Sequence, residues 1–182
     1  MDAMPVANRD EEAIFSASGS NIFLFDKGSK YHYAFVTGGK MSHLNFIGKN
    51  KRHNKSYVTP VHQGIASAGV FSMAFDGNKN WYVVGGDYKQ PNNTENNFAG
   101  KQINDANWNA ATTPPNGYRS CIRWMQENKL ISCGTNGVDM SNDNGNNWMK
   151  ASDTGFNVCM VSPNKKLVFF AGDKGRIGVL TN

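Results

Sequence analysis

Ser141-Asn142-Asp143-Asn144-Gly145-Asn146-Asn147-Trp148 is the stretch on which the reading of this chain turns. Its order, Ser-x-Asp-x-Gly-x-x-Trp, describes a tight corner closed by its own side chains. The Asp143 carboxylate can accept hydrogen bonds from backbone N–H groups that the corner leaves unpaired, and Gly145 can take a positive φ. Trp148 then enters the next strand with a ring large enough to wedge between neighbouring sheets. Short strand-like runs flank the corner, Val138-Asp139-Met140 before it and Trp148-Met149-Lys150 after it. Such a device fixes fold and carries no chemistry of its own.

Outward from this corner the chain repeats itself. Gly117-Tyr118-Arg119-Ser120-Cys121-Ile122-Arg123 leads through a polar turn to Leu130-Ile131-Ser132-Cys133-Gly134. Gly69-Val70-Phe71-Ser72-Met73-Ala74-Phe75 leads to Trp81-Tyr82-Val83-Val84-Gly85-Gly86, and Gly155-Phe156-Asn157-Val158-Cys159-Met160-Val161 leads to Leu167-Val168-Phe169-Phe170-Ala171-Gly172. The three starts, Gly69, Gly117 and Gly155, lie 48 and 38 residues apart, close to the period of a four-stranded propeller blade. A weaker copy is expected from Ala13-Ile14-Phe15-Ser16-Ala17 to Tyr33-Ala34-Phe35-Val36-Thr37-Gly38-Gly39, with Ser56-Tyr57-Val58-Thr59-Pro60 as a further eroded element. Lys101 to Trp108 keeps the tryptophan of the corner but lacks its glycine, so that turn must be built differently. Apolar runs of four to seven residues bounded by Gly, Asn, Asp or Pro are strands and turns, and no stretch carries a helical period. The fold class is therefore all-β, a partial β-propeller of about four antiparallel blades in a single domain over 1–182, with 1–12 an irregular lead-in and 89–97 a long surface loop.

Composition agrees. Among 182 residues there are 19 glycines, and aromatic residues make up 12%, which supplies turns and large packing groups. The apolar runs are far too short to cross a bilayer, and no secretory signal is visible at Met1-Asp2-Ala3-Met4-Pro5. The net charge of +5 reads as a solubility feature. The one dense basic run, Lys49-Asn50-Lys51-Arg52-His53-Asn54-Lys55, has no interleaved stacking aromatics and reads as a solvated hairpin tip, so no nucleic-acid partner is expected. Cys121, Cys133 and Cys159 form no Cys-x-x-Cys pair and have no histidine cluster beside them, so neither a metal nor a cofactor is expected. Cys121 and Cys133 face each other across a hairpin centred near Glu127, as a disulfide or as buried thiols.

The corner at Ser141, Asp143, Gly145 and Trp148 resembles the Asp-box of sialidase-like β-propellers, where it sits on the outer hairpin of a blade, away from the ligand. Ser67-Ala68-Gly69-Val70-Phe71-Ser72, Val84-Gly85-Gly86-Asp87-Tyr88, Gly117-Tyr118-Arg119-Ser120 and Gly175-Arg176-Ile177 resemble propellers of the photosystem II stability/assembly-factor-like group, over a span from about Ala13 to Leu180. The resemblance implies a seven-bladed ring of roughly twice this length, often exported, some of whose members are labelled oxidoreductases without cofactor motifs. On that comparison the chain is a C-terminal fragment, and its open blade edges invite self-association.

Propeller ligands gather where the innermost strands converge on the channel mouth. Those strands are expected to start at Phe15, Phe71, Arg119 and Asn157. Arg119 is the first candidate binding residue, since its planar donors can grip a carboxylate or phosphate or can form an interblade ion pair with Asp87 or another acid. Asp87 and Tyr88 follow a Gly-Gly exit and reach the same mouth or cap a turn; Ser18 completes the set. Catalysis finds little support. The arginines Arg9, Arg52, Arg119, Arg123 and Arg176 are scattered rather than clustered for a sialidase, Asp87 has no obvious paired carboxylate, and His32, His43, His53 and His62 are irregularly spaced. Gly85-Gly86-Asp87 opens no helix, so it is no dinucleotide fingerprint. The residues read as a non-catalytic binding or assembly scaffold for a protein or peptide. The alternative is a carbohydrate-active hydrolase of the sialidase-like or Asp-box endoglucanase type, with a glycan as ligand.

Overall fold

A computed structural model describes residues 10–17, 19–103 and 105–181. The chain opens with the two-residue strand β1 (Glu12–Ala13). The first blade then forms from β2 (Ile22–Leu24), β3 (Tyr31–Val36), β5 (His43–Gly48) and β6 (Lys55–Val58), with the short β4 (Gly38–Gly39) between its second and third strands in sequence. The second blade is β7 (Ala68–Phe75), β8 (Asn80–Asp87), β9 (Phe98–Gln102) and β10 (Asn109–Ala110), extended at its inner edge by β4 and β1. The third is β11 (Cys121–Gln126), β12 (Lys129–Gly134), β13 (Gly137–Ser141) and β14 (Met149–Ser152), and the last is the three-stranded set β15 (Val158–Val161), β16 (Leu167–Ala171) and β17 (Ile177–Thr181). Every ladder is antiparallel, and the blades follow one another as a partial β-propeller. No helix among the described residues is long and apolar enough to cross a membrane.

A seam of hydrogen bonds runs along the innermost strands. Met73 N–H donates to the Ser20 carbonyl at 2.9 Å, Ile122 N–H to the Ser72 hydroxyl at 2.9 Å, and Cys159 N–H to the Cys121 sulfur at 3.4 Å. Each bond ties an inner strand to the blade before it. A second set lies at the blade exits, where Arg119 N–H donates to the Gly85 carbonyl and Phe156 N–H to the Gly134 carbonyl, both at 2.9 Å. The repeated exit glycines follow from this crowding, because a Cβ on Gly85 would overlap the Gly69 carbonyl oxygen and one on Gly134 that of Tyr118.

One apolar cluster fills each gap between blades. Tyr31, Leu44 and Phe46 of the first blade meet Val70, Trp81 and Val83 of the second. Tyr82, Val84 and Phe98 of the second meet Ile122, Leu130 and Trp148 around the third. Cys121, Ile131 and Cys133 of the third meet Phe156, Cys159, Val168 and Phe170 of the last. Successive side chains on a strand point to opposite faces, so Trp81 and Val83 serve one gap while Tyr82 and Val84 serve the next. A strand buried on both faces has to be apolar throughout, which is why Trp81-Tyr82-Val83-Val84 shows no alternation. On the last blade, Met160, Phe169 and Val179 form a cross-strand row on the opposite, exposed face.

The Ser141–Trp148 corner closes as its residue types require. Asp143 Oδ1 accepts from Asn147 N–H at 2.8 Å, the Ser141 hydroxyl accepts from Gly145 N–H at 2.9 Å, and Gly145 has φ 85°. The Trp148 indole N–H donates to the Gly145 carbonyl at 3.0 Å, and its ring meets Phe98 of the preceding blade edge-on at 5.2 Å. The preceding copy, which lacks the glycine, is held by different contacts. Trp108 donates to the Val58 carbonyl at 2.8 Å, while the buried Lys101 ammonium lies over the Tyr57 and Trp108 rings at 5.0 and 5.9 Å and bonds the Asp105 carbonyl.

The first blade departs from expectation. Its inner strand is Ile22–Leu24, not a strand beginning at Phe15. Phe15 lies outside any strand, with its ring stacked 4.0 Å from that of Phe71, and the Ile14-Phe15 pair is too short an apolar run to build a blade edge. Glu12, expected in an irregular lead-in, pairs with Gly39, and Ala13, expected to open the weak first copy, pairs with Gly38. Residues 55–58 form the outer strand of this blade, and the basic run is the exposed β5–β6 connection carrying a 3-10 turn at Lys51–His53.

Two outcomes test the corner. Trp148→Ala should destabilise the chain by about 3–5 kcal/mol, the usual cost of an emptied tryptophan site, read in urea unfolding. Desolvation acts to raise the Asp143 carboxyl, but hydrogen bonds from the Asn147 backbone and side chain and from Ser141 outweigh it and hold the group below its ordinary value. Its contribution is therefore present above the unfolded carboxyl value of about 3.9 and is lost as pH falls through the lower folded value. The melting temperature of Asp143→Asn should lie below wild type at pH 7, and the gap should close on acidification below about pH 4.

Candidate functional site

The candidate mouth lies where inner strands begin and second strands end. Three segments meet there: the 88–97 loop after β8, the 115–119 approach to β11, and the 135–136 turn after β12. Amide side chains stitch them together. The Asn136 amide nitrogen lies 2.7 Å from the Pro91 carbonyl, 2.9 Å from Asn92 Oδ1 and 3.0 Å from the Asn116 carbonyl. The buried Asn97 amide donates to the Pro115 and Gly117 carbonyls at 2.8 and 2.7 Å. Asparagine suits this position because one short side chain both donates and accepts, pairing loop backbone that has no strand partner.

Arg119 sits under this rim with 0% exposure. Its Nε donates to Asp139 Oδ2 at 2.6 Å and a terminal nitrogen pairs with the same carboxylate, while Nη1 donates to the Tyr118 carbonyl at 2.8 Å and to Asn136 Oδ1 at 2.6 Å. Asp139, also fully buried, accepts from the Asn116 backbone N–H at 3.0 Å and from its amide at 2.8 Å. The acid facing Arg119 thus comes from β13 of the same blade rather than from Asp87. Low exposure makes such a pair expensive to form and still more expensive to break.

Asp87 is buried and closes its own turn, accepting from Lys89 N–H at 2.9 Å. Tyr88 follows it and is 47% exposed. Its ring rests edge-on against Phe71 at 6.2 Å, and Phe71 meets Tyr118 at 4.8 Å and Phe15 at 4.0 Å, so the exposed ring stands on an aromatic base. Burial pushes the Tyr118 phenol well above its ordinary value and keeps it neutral. Ser18 lies outside the described residues. The structure therefore gathers Arg119, Asp87 and Tyr88 at one end of the arc, with Tyr88 alone of the three presenting its side chain to solvent.

Sequence reasoning passed over Asp139, Asn97, Asn116 and Asn136. Asp139 was hidden because Val138-Asp139-Met140 reads as the alternation of a strand with one solvated face, which would put the carboxylate in water. The asparagines carried no mark among the many loop asparagines. Replacing Arg119 by Met should cost about 3–5 kcal/mol by stranding the Asp139 charge, and Arg119→Met/Asp139→Leu should recover most of that loss in urea melts.

No family model and no curated protein matches this chain. Solved structures do match. YCF48 bound to D1 peptide aligns with a TM-score of 0.56 at 13% identity, covering 98% of this chain and 57% of that one. A gluconolactonase from Xanthomonas campestris gives 0.54 at 11%, covering 87% and 47%, and a chain of a nidogen/laminin complex gives 0.53 at 9%, covering 91% and 58%. The chain spans about half the length of the structures it matches. At these identities the likeness is one of fold, and the fold is that of β-propeller-type proteins.

Proposed function

We propose that this chain is a non-catalytic binding scaffold whose mouth holds an extended peptide or a protein segment. The observation that carries this reading is Tyr88, 47% exposed at the start of the 88–97 loop, with its ring edge-on against Phe71, which in turn packs on Tyr118 and Phe15. An aromatic side chain of restricted freedom anchors a partner at low entropic cost. The carboxylates Asp87 and Asp139 are already engaged within the scaffold, an arrangement that suits support better than acid–base chemistry. Two of the similar folds, YCF48 with its D1 peptide and the nidogen/laminin complex, come from structures of complexes, which favours the same reading. A relationship to assembly factors of the photosystem II type is the finer form of this proposal and rests on the sequence resemblance.

A peptide array probed with the full chain tests it. A subset of peptides should be retained, with affinity falling about tenfold or more for Tyr88→Ala, whose side chain is too exposed to be needed for folding. Lack of any retained peptide, together with turnover of a glycoside or lactone panel, would replace the scaffold reading with the hydrolase reading.

A further inference from the structure

Three thiols from two blades converge beside the axis. Cys121 on β11 faces Cys133 across the β11–β12 ladder, and Cys159 enters from β15 of the next blade. The three sulfurs lie within 4.8 Å of one another, those of Cys121 and Cys159 are 3.7 Å apart, and all three residues are buried and outside any disulfide. Metal–sulfur bonds of about 2.3 Å would place sulfurs around one ion about 3.8–4.0 Å apart, so this trio needs only small side-chain adjustments to share one.

The seam itself does not require sulfur. At the preceding junction the Ser72 hydroxyl accepts Ile122 N–H at 2.9 Å and meets the Ser20 hydroxyl at 2.6 Å. At the next junction Cys121 occupies the corresponding role, accepting Cys159 N–H. A hydroxyl suffices for the structural bond in the first case, whereas three sulfurs meet in the second.

We propose that Cys121, Cys133 and Cys159 form a three-thiolate site for one thiophilic monovalent ion, Cu(I). The donor set selects the ion: soft thiolates suit Cu(I), while structural zinc is held by four ligands, and the trio contributes three. Met125, Ile131, Val138, Phe156, Val168 and Phe170 surround the sulfurs and disfavour water as a fourth ligand. Arg123, whose Nε donates to the Cys159 carbonyl at 3.1 Å, puts a permanent cation beside the site, opposing the negative charge of a copper(I) thiolate centre. The Ser20 hydroxyl, 3.5 Å from the Cys121 sulfur, and Cys159 N–H supply hydrogen bonds to a ligating sulfur. Binding exchanges thiol protons for the ion, with no change in oxidation state.

The test titrates the reduced full chain anaerobically with Cu(I) against bathocuproine disulfonate. One ion per chain should be retained, with X-ray absorption showing three sulfur neighbours and the melting temperature rising on loading. Cys133→Ser should weaken Cu(I) binding by roughly a hundredfold or more, with circular dichroism confirming the fold. Because that variant replaces a core residue, the stoichiometry and sulfur shell of the wild-type chain decide the matter if it fails to fold. Loss of all copper to the competitor, a shell containing nitrogen or oxygen, tighter binding of zinc in the matching competition, or a Cys121–Cys159 disulfide in place of metal would each overturn the assignment.

Discussion

The seam of N–H donors along the inner strands is the constraint on which the rest of the structure depends. Met73, Ile122 and Cys159 each spend a backbone donor on the preceding blade rather than within their own sheet. That sets the height at which consecutive blades meet, and with it which faces oppose each other. The apolar clusters are then the consequence of this register. Hydrophobic burial supplies the driving force but has no direction, so the hydrogen bonds select one stacking among many that would bury similar area.

The same economy governs the mouth. Loop backbone at a blade end has no strand partner, and a buried orphan amide or carbonyl is costly. The chain answers with asparagine amides and with one buried arginine that binds a carboxylate, a carbonyl and an amide oxygen together. The guanidinium is suited to this because its donors are planar and fixed in direction, whereas a lysine would serve the same oxygens less selectively. Support of this kind leaves Tyr88 as a side chain raised above a stiff floor.

Much of this was legible beforehand, for identifiable reasons. The corner at Ser141 to Trp148 is local chemistry, and local chemistry survives in a single sequence. The repeat of Gly, apolar run, polar turn and apolar run is also local, so the blades from Gly69 onward stand where expected. The first blade was misread because its inner strand, Ile22–Leu24, is short and lies beyond the more conspicuous Ile14-Phe15 pair. Pairings between distant residues were harder still. Arg119 stood out as a charge at a strand start, but Asp139 follows it by a hairpin and a turn, and no spacing rule links them. The cysteines failed the test for a metal motif because they lie on separate strands, where sequence spacing carries no information about convergence. Ser18 and Arg9, outside the described residues, add nothing to either account.

Strand β8 has a further implication for mechanics. Because Val83 and Val84 are neighbours in sequence yet belong to different gaps, no side chain in this strand can swell or shrink without loading one adjoining blade and sparing the other. Strain therefore passes along the arc from neighbour to neighbour, as in a linear array of coupled units, instead of spreading through a shared centre. A ligand that tightened one blade end would be felt first by the adjacent blade and only faintly by the one beyond it.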